Sequence, residues 1–191
     1  MPYPSVKVGW PNEKPGRPKS HKDLPGLSIQ STSFTRALEG AIHPRNSLIL
    51  ELGAGNGWYT GAIAGILDGA GKIFAADDEW SWSSPRNLVP FDTFVANRWD
   101  DREKIVPLVG SHVGAMRWIK EQKGTIDLVV VSNGKNQAEN THLLRSCWSI
   151  FPKTRVIGNA MLLDPNIVAL RSPAGSVFIN HRTHFEWTPA A

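Results

Sequence analysis

An acid, three alternating glycines and a second acid twenty residues further on give this chain the means to hold a nucleoside-like ligand. Glu51, Gly53, Gly55 and Gly57 follow the apolar run Ser47-Leu48-Ile49-Leu50, and Trp58-Tyr59-Thr60 open a helical stretch behind them. Glycines there permit positive φ and remove the Cβ atoms that would keep a ligand from the backbone, while the following helix points unpaired N–H groups into the same crevice. The dinucleotide fingerprint G-x-G-x-x-G would need a third glycine where this chain has the bulky Trp58, so a pyrophosphate is disfavoured. Glu51 would repel a diphosphate but suits a cationic ammonium. Asp77 ends the apolar run from Lys72 and comes twenty residues after Gly57, about where a Rossmann-like fold sets a carboxylate on ribose hydroxyls. The alternative is that Asp77 and Asp78 open a turn before Glu79-Trp80.

The elements that must position these residues alternate between apolar runs and helical periodicity, the signature of an α/β fold with parallel strands. Phe34, Leu38 and Ile42 form a stripe for a first helix, ended by His43-Pro44. The pattern then predicts a strand at 48–52, a helix at 59–67, a strand at 72–76, a short helix at 91–96 and a strand at 104–109. A helix at 113–122, a β-branched central strand at 127–131, a helix at 138–151 and a strand at 155–158 follow. Residues 177–180 and 183–187 read as terminal β structure, either one bent strand or a hairpin.

With the acidic-x-Gly-x-Gly-x-Gly pattern intact, residues 47–60 resemble motif I of the class I S-adenosylmethionine-dependent methyltransferases. The resemblance extends over about residues 28–170, through Gln30, Phe91-Asp92-Thr93-Phe94 with Asn97, Ile105 to Ser111, and Ile126 to Val131. These blocks are similar to the branch of catechol O-methyltransferase-like enzymes and the domains related to cephalosporin hydroxylase and sugar O-methyltransferases. The resemblance implies a Rossmann-like methyltransferase sheet, mostly parallel with a terminal antiparallel strand and helices on both faces. It implies S-adenosyl-L-methionine as cofactor, with Glu51, Gly53, Gly55, Gly57, Asp77 and Ser132 around it and Gly110, Ser111 and His112 at the adenine.

The chain departs from that branch where its members hold a divalent metal, a hard cation that needs carboxylate oxygens. Ser132 stands at the first acid and Gly158-Asn159 at the following pair, leaving Asn159 as an oxygen donor; Asp164 and Asp78 lack the matching positions. No metal site is therefore expected. In the branch a lysine three positions after the first acid acts as general base, which points here to Lys135 as the catalytic residue. The alternative is an ordinary surface lysine in the loop Asn133-Gly134-Lys135-Asn136-Gln137.

Composition bounds the rest. At 191 residues and 41% hydrophobic, the chain holds one core. Residues 1–27 carry Lys7, Lys14, Arg17, Lys19 and Lys22 among six prolines and read as an extended or disordered arm, leaving 28–191 as the methyltransferase domain. No basic run reaches five residues, so a solvated arm is favoured over a nucleic-acid-binding one despite the net charge of +4. A single Cys147 excludes an internal disulfide, and no apolar run approaches eighteen residues, so the expectation is a soluble cytoplasmic protein away from membranes. Cys147 lies in an apolar stretch, five residues from His142, and reads as a core thiol. His181, His184 and Glu186 have a metal-ligand look, but an odd separation along one strand would set the two rings on opposite faces. Trp80, Trp82 and Trp99 suit an adenosine wall, an acceptor pocket or plain packing. The expected activity is methyl transfer to a hydroxyl or amine of a small molecule. The alternatives are a degenerate domain that binds S-adenosylmethionine as an interaction module, and a nucleic-acid methyltransferase, against which stands the lack of an N/D-P-P-Y/F or catalytic-cysteine motif.

Overall fold

In a computed structural model, which describes residues 6–14, 32–45, 47–78, 80, 91–132, 137–159, 173–181 and 184–190, the apolar runs pair into one eight-stranded sheet. In chain order the elements are β1 (Lys7–Val8), α1 (Thr32–Ala41), β2 (Leu48–Leu52), α2 (Trp58–Ile66), β3 (Lys72–Asp77), α3 (Phe91–Arg98) and β4 (Ile105–Val109). They continue with α4 (His112–Lys123), β5 (Leu128–Val131), α5 (Gln137–Ile150), β6 (Arg155–Asn159), β7 (Val177–Asn180) and β8 (His184–Thr188). The sheet runs β1-β4-β3-β2-β5-β6-β8-β7, with β4, β3, β2, β5 and β6 parallel. From β2 the chain builds outward through β3 and β4, then returns to the other side of β2 with β5 and β6. That reversal opens a crevice beyond the carboxyl ends of β2 and β5, where open α/β sheets take their ligands.

Apolar side chains on both faces of the parallel strands require helices on both faces. Phe34 and Leu38 of α1, Tyr59 and Ile63 of α2, and Phe91 and Phe94 of α3 cover one face. Met116 and Ile119 of α4 with Leu144, Cys147 and Trp148 of α5 cover the other. The stripe expected for the first helix is fully buried at Phe34 and Leu38, each worth about 1.5–3 kcal/mol of burial.

The described part of the amino-terminal arm, residues 6–14, is docked on the sheet. Lys7 and Val8 pair antiparallel with Val109 and Leu108 at the edge of the sheet. The Trp10 indole N–H donates to the Ile105 carbonyl at 2.8 Å, and its ring stacks on Phe94. Pro11, which cannot donate to a ladder, stands just beyond this short edge strand. At the other edge the terminal β structure is a hairpin: β8 pairs antiparallel with both β6 and β7. Among the described residues no helix is long and apolar enough to cross a membrane.

Candidate functional site

The turn leaving β2 is held by backbone and side chains from four directions. Gly53 and Ala54 N–H groups donate to the Ala76 carbonyl at 2.9 and 3.1 Å, and Gly57 N–H to Ala54 at 2.8 Å. Asp77 accepts the Gly55 N–H at 2.7 Å, the Trp80 indole donates to the Gly55 carbonyl at 2.8 Å, and Asn97 donates to the Asn56 carbonyl at 2.9 Å. The three glycines sit at φ 82°, 53° and 86°, the left-handed region. Two of them answer different needs. A Cβ at Gly55 would meet nothing within 4 Å, so the loop backbone there faces open space; at Gly57 it would lie 2.7 Å from Arg98 Cγ, so that glycine serves the packing of α3 on α2. Trp58, at the position of the missing third glycine, begins α2 with its ring half exposed.

Glu51 lies fully buried beneath this turn. Its carboxylate accepts from Thr60 Oγ1 at 2.5 Å and from Ser132 Oγ at 2.7 Å, joining β2, α2 and the end of β5. Loss of solvent raises its pKa most, the two hydroxyls pull it back, Asp77 raises it and Arg98 lowers it, and the balance stands at about 7. Ser132 is buried as well, with the Gly53 carbonyl 3.1 Å from a hydroxyl that has one proton to give, so Ser132 binds the turn together.

The third wall comes from β4. Gly110 turns the chain at φ 151°, and Ser111 caps α4 by accepting the Gly114 N–H at 3.1 Å. His112 follows, with Nε2 3.9 Å from Asp78 Oδ1 and without a hydrogen-bond partner although buried. The carboxyl ends of β2, β3, β4 and β5 thus bring together Glu51, Gly53, Gly55, Gly57, Asp77, Gly110, Ser111, His112 and Ser132.

No family model and no curated protein sequence matches the chain. Solved structures do. The O-methyltransferase TomG from Streptomyces achromogenes, crystallised with SAM, matches at a TM-score of 0.63 and 16% identity over 89% of this chain and 85% of its own. The O-methyltransferase from Bacillus cereus, in complex with SAH, matches at 0.62 and 15% identity over 88% and 85%. A fibrillarin/Nop5p complex matches at 0.56 and 19% identity over 82% and 79%. The fold is the Rossmann-like methyltransferase fold.

Lys135, Asn133 and Gly134, with Asp164, Gln30, Glu79 and Trp82, lie outside the described residues. At Gly158 an added Cβ would come 2.5 Å from the Phe185 ring and 2.9 Å from the Val131 carbonyl, so the space a metal-binding acid would need there is filled. Trp80 belongs to the core against Phe91 and Phe94, and Trp99 packs edge-on to Trp10. Cys147 is a core thiol, its pKa pushed up to about 12 by burial, 3.7 Å from the Met116 sulfur.

His181 and His184 do not lie on opposite faces. The chain reverses between them, so they are cross-strand neighbours at the end of the hairpin, stacked with ring centroids 4.1 Å apart. Thr60 and Arg98 are also brought to the turn by the fold. Thr60 lies nine residues beyond Glu51 in a helix and nothing in the local pattern marks it, and Arg98 becomes visible only once α3 rests on the glycine face of α2.

Proposed function

We propose that this chain is an S-adenosylmethionine-dependent methyltransferase acting on a hydroxyl or amine of a small molecule, without a hard divalent cation. The observation that carries the reading is the Gly53–Gly57 turn at the switch point, organised by Asp77 and open above Gly55. Asp77 would take the ribose hydroxyls. The unpartnered His112 nitrogen, with Gly110, Ser111 and Asp78, would border the adenine. Glu51, beneath the turn, gains from a nearby ammonium because a positive charge draws its pKa back down. The bound cofactor supplies an electrophilic methyl on a sulfonium sulfur. What remains for the protein is to hold the nucleophile about 3–3.5 Å from that carbon and to take a proton from it. Lys135, in the segment joining β5 to α5, is the base that the catechol O-methyltransferase-like resemblance supplies; it acts once burial lowers its pKa. Residues 28–191 form the methyltransferase domain, and the lone core cysteine fits a reducing cytoplasm.

Two further readings have specific support. The absent acids at 132 and 158 favour a binding module without turnover, and the net charge of +4 with the basic residues of the amino-terminal segment favours a nucleic-acid acceptor. Calorimetry with S-adenosylhomocysteine, S-adenosylmethionine and NAD tests the ligand: the adenosyl compounds bind with Mg²⁺ and Ca²⁺ removed and NAD does not, and the reverse pattern rejects the assignment. Lys135→Met then keeps the affinity and lowers turnover on the order of 10² to 10⁴. Cofactor binding with no small acceptor methylated across hydroxyl and amine panels would favour the module, and methylation of RNA alone the third reading.

A further inference from the structure

The carboxyl rim of the sheet continues past the cofactor crevice, through Ser132 and Asn159, to the end of the β7–β8 hairpin. His184 pairs in register with Asn159, and Gly158 with Val131, so two strand spacings of about 4.8 Å separate His184 from the end of β5. His184 and Glu186, two apart on β8, share a face; Phe185 and Trp187 point the other way, into the core. His181 stands opposite His184, its N–H donating to the His184 carbonyl at 2.8 Å, and joins the same face. Nothing proposed for the cofactor crevice uses these three side chains.

From this juxtaposition we propose that His181, His184 and Glu186 bind one divalent metal ion of the zinc class. The Nε2 atoms of His181 and His184 lie 3.8 and 3.5 Å from Glu186 Oε1, and the ligand atoms all fall within 4.8 Å of one another. In a tetrahedral zinc site with bonds near 2.0–2.1 Å, ligand atoms stand about 3.3 Å apart, so closing on an ion needs contraction of a few tenths of an ångström at the carboxylate. It also needs the stacked imidazoles to turn so that their lone pairs converge. His181, 42% exposed at the hairpin end, has room to turn toward the more enclosed His184, 14% exposed. Arg155 binds Glu186 Oε2, fixing the carboxylate with Oε1 toward the two rings, as an outer partner orients a metal ligand.

The donor set decides the class of ion. Two imidazole nitrogens and one carboxylate suit zinc, cobalt, nickel or iron, whereas Mg²⁺ and Ca²⁺ want oxygen ligands throughout. Three protein ligands leave at least one coordination position for water or an anion, and the ion keeps net positive charge beside Arg155. This site is separate from the carboxylate-and-asparagine set that the chain has lost at 132 and 158, and it does not depend on the methyltransferase assignment.

The test uses the full chain, carrying no added histidines and stripped with a chelator. Titration with Zn²⁺, followed by calorimetry, and with Co²⁺, followed by visible absorption, should give one equivalent bound per chain, unaffected by excess Mg²⁺ and lost on acidification as the imidazoles protonate. His181→Ala and Glu186→Gln should each weaken binding beyond the roughly 10–100-fold typical of an outer-shell partner, while His142→Ala, on the exposed side of α5, changes nothing. His181→Ala lies at the solvent side and decides the question should Glu186→Gln disturb the hairpin. Absence of stoichiometric binding, displacement by Mg²⁺, or Zn²⁺ binding that survives His181→Ala combined with His184→Ala would overturn the proposal. Affinity for S-adenosylhomocysteine is measured in parallel, so a failed cofactor assignment is told apart from a failed metal site.

Discussion

Glu51 and Glu186 are the same side chain on two strands of one sheet, and their surroundings drive them in opposite directions. Glu51 is sealed under the turn after β2, and its nearest partners are the neutral hydroxyls of Thr60 and Ser132. Burial wins there, and the carboxyl is pushed up to about 7. Glu186 sits on the hairpin with a fifth of its surface in water. Partial burial works to raise its pKa too, but the hydrogen bond and charge of Arg155, with His184 and His181 behind, outweigh it and hold the group below its ordinary range. Hydroxyls satisfy an oxygen's lone pairs without repaying the cost of keeping its charge from water, whereas cations repay it. One glutamate is therefore poised to exchange a proton near neutrality, and the other is a fixed anion.

The largest effect that can break this contrast concerns Glu51. A carboxyl whose pKa rises from 4.5 to about 7 on folding binds its proton more tightly in the folded state, so stability falls as pH climbs through that window and levels off above it. The contribution is on the order of 3 kcal/mol. Denaturant unfolding of the ligand-free protein at pH 5 and pH 8 should show it, and Glu51→Gln, whose amide can still bond both hydroxyls, should abolish it. An unchanged slope in the variant would mean that burial does not control the group.

Asp77 sharpens the same comparison, because its charge adds to the upward push on Glu51 while its carboxylate holds Gly55. Asp77→Ala should weaken S-adenosylhomocysteine binding by about 1–3 kcal/mol in calorimetry. Asp77→Asn, which retains an acceptor for the Gly55 N–H, should lose less and should shift the Glu51 titration downward. Equal affinity in all three proteins would remove Asp77 from the ribose site.

The smallest effect belongs to Glu186. Its depressed pKa contributes stability that is present above the unfolded value and fades as pH falls through the folded one, opposite in sign to Glu51 and confined to acid. For a pair this open to solvent the expected loss on Glu186→Gln is below about 1 kcal/mol at pH 7, vanishing in strong salt. A loss as large as that expected at Glu51 would show that the hairpin end is far less solvated than its exposure implies.

Much of this architecture was readable along the chain because it is periodic. The stripe Phe34, Leu38, Ile42 and the β-branched run Leu128–Val131 declare a helix face and a central strand through the spacing of their apolar side chains, which local geometry fixes. The turn after β2 was legible for a related reason: alternating glycines between an acid and a helix state a backbone conformation that few other residues adopt. Glu51, Gly55 and Asp77 stand out on that spacing alone.

What the sequence by itself determined, then, was the order of elements and the presence of a glycine turn after β2, since both follow from interactions within a few residues. Tertiary structure alone decided what those residues touch. Thr60 and Ser132 reach Glu51 from nine and eighty-one positions away, and Trp10 of the arm reaches Phe94 across the edge of the sheet. His181 and His184, set on opposite faces by strand periodicity, meet because the chain turns between them. Strand alternation is a rule about neighbours along one straight segment, and a hairpin replaces it with register across two, which no local spacing encodes.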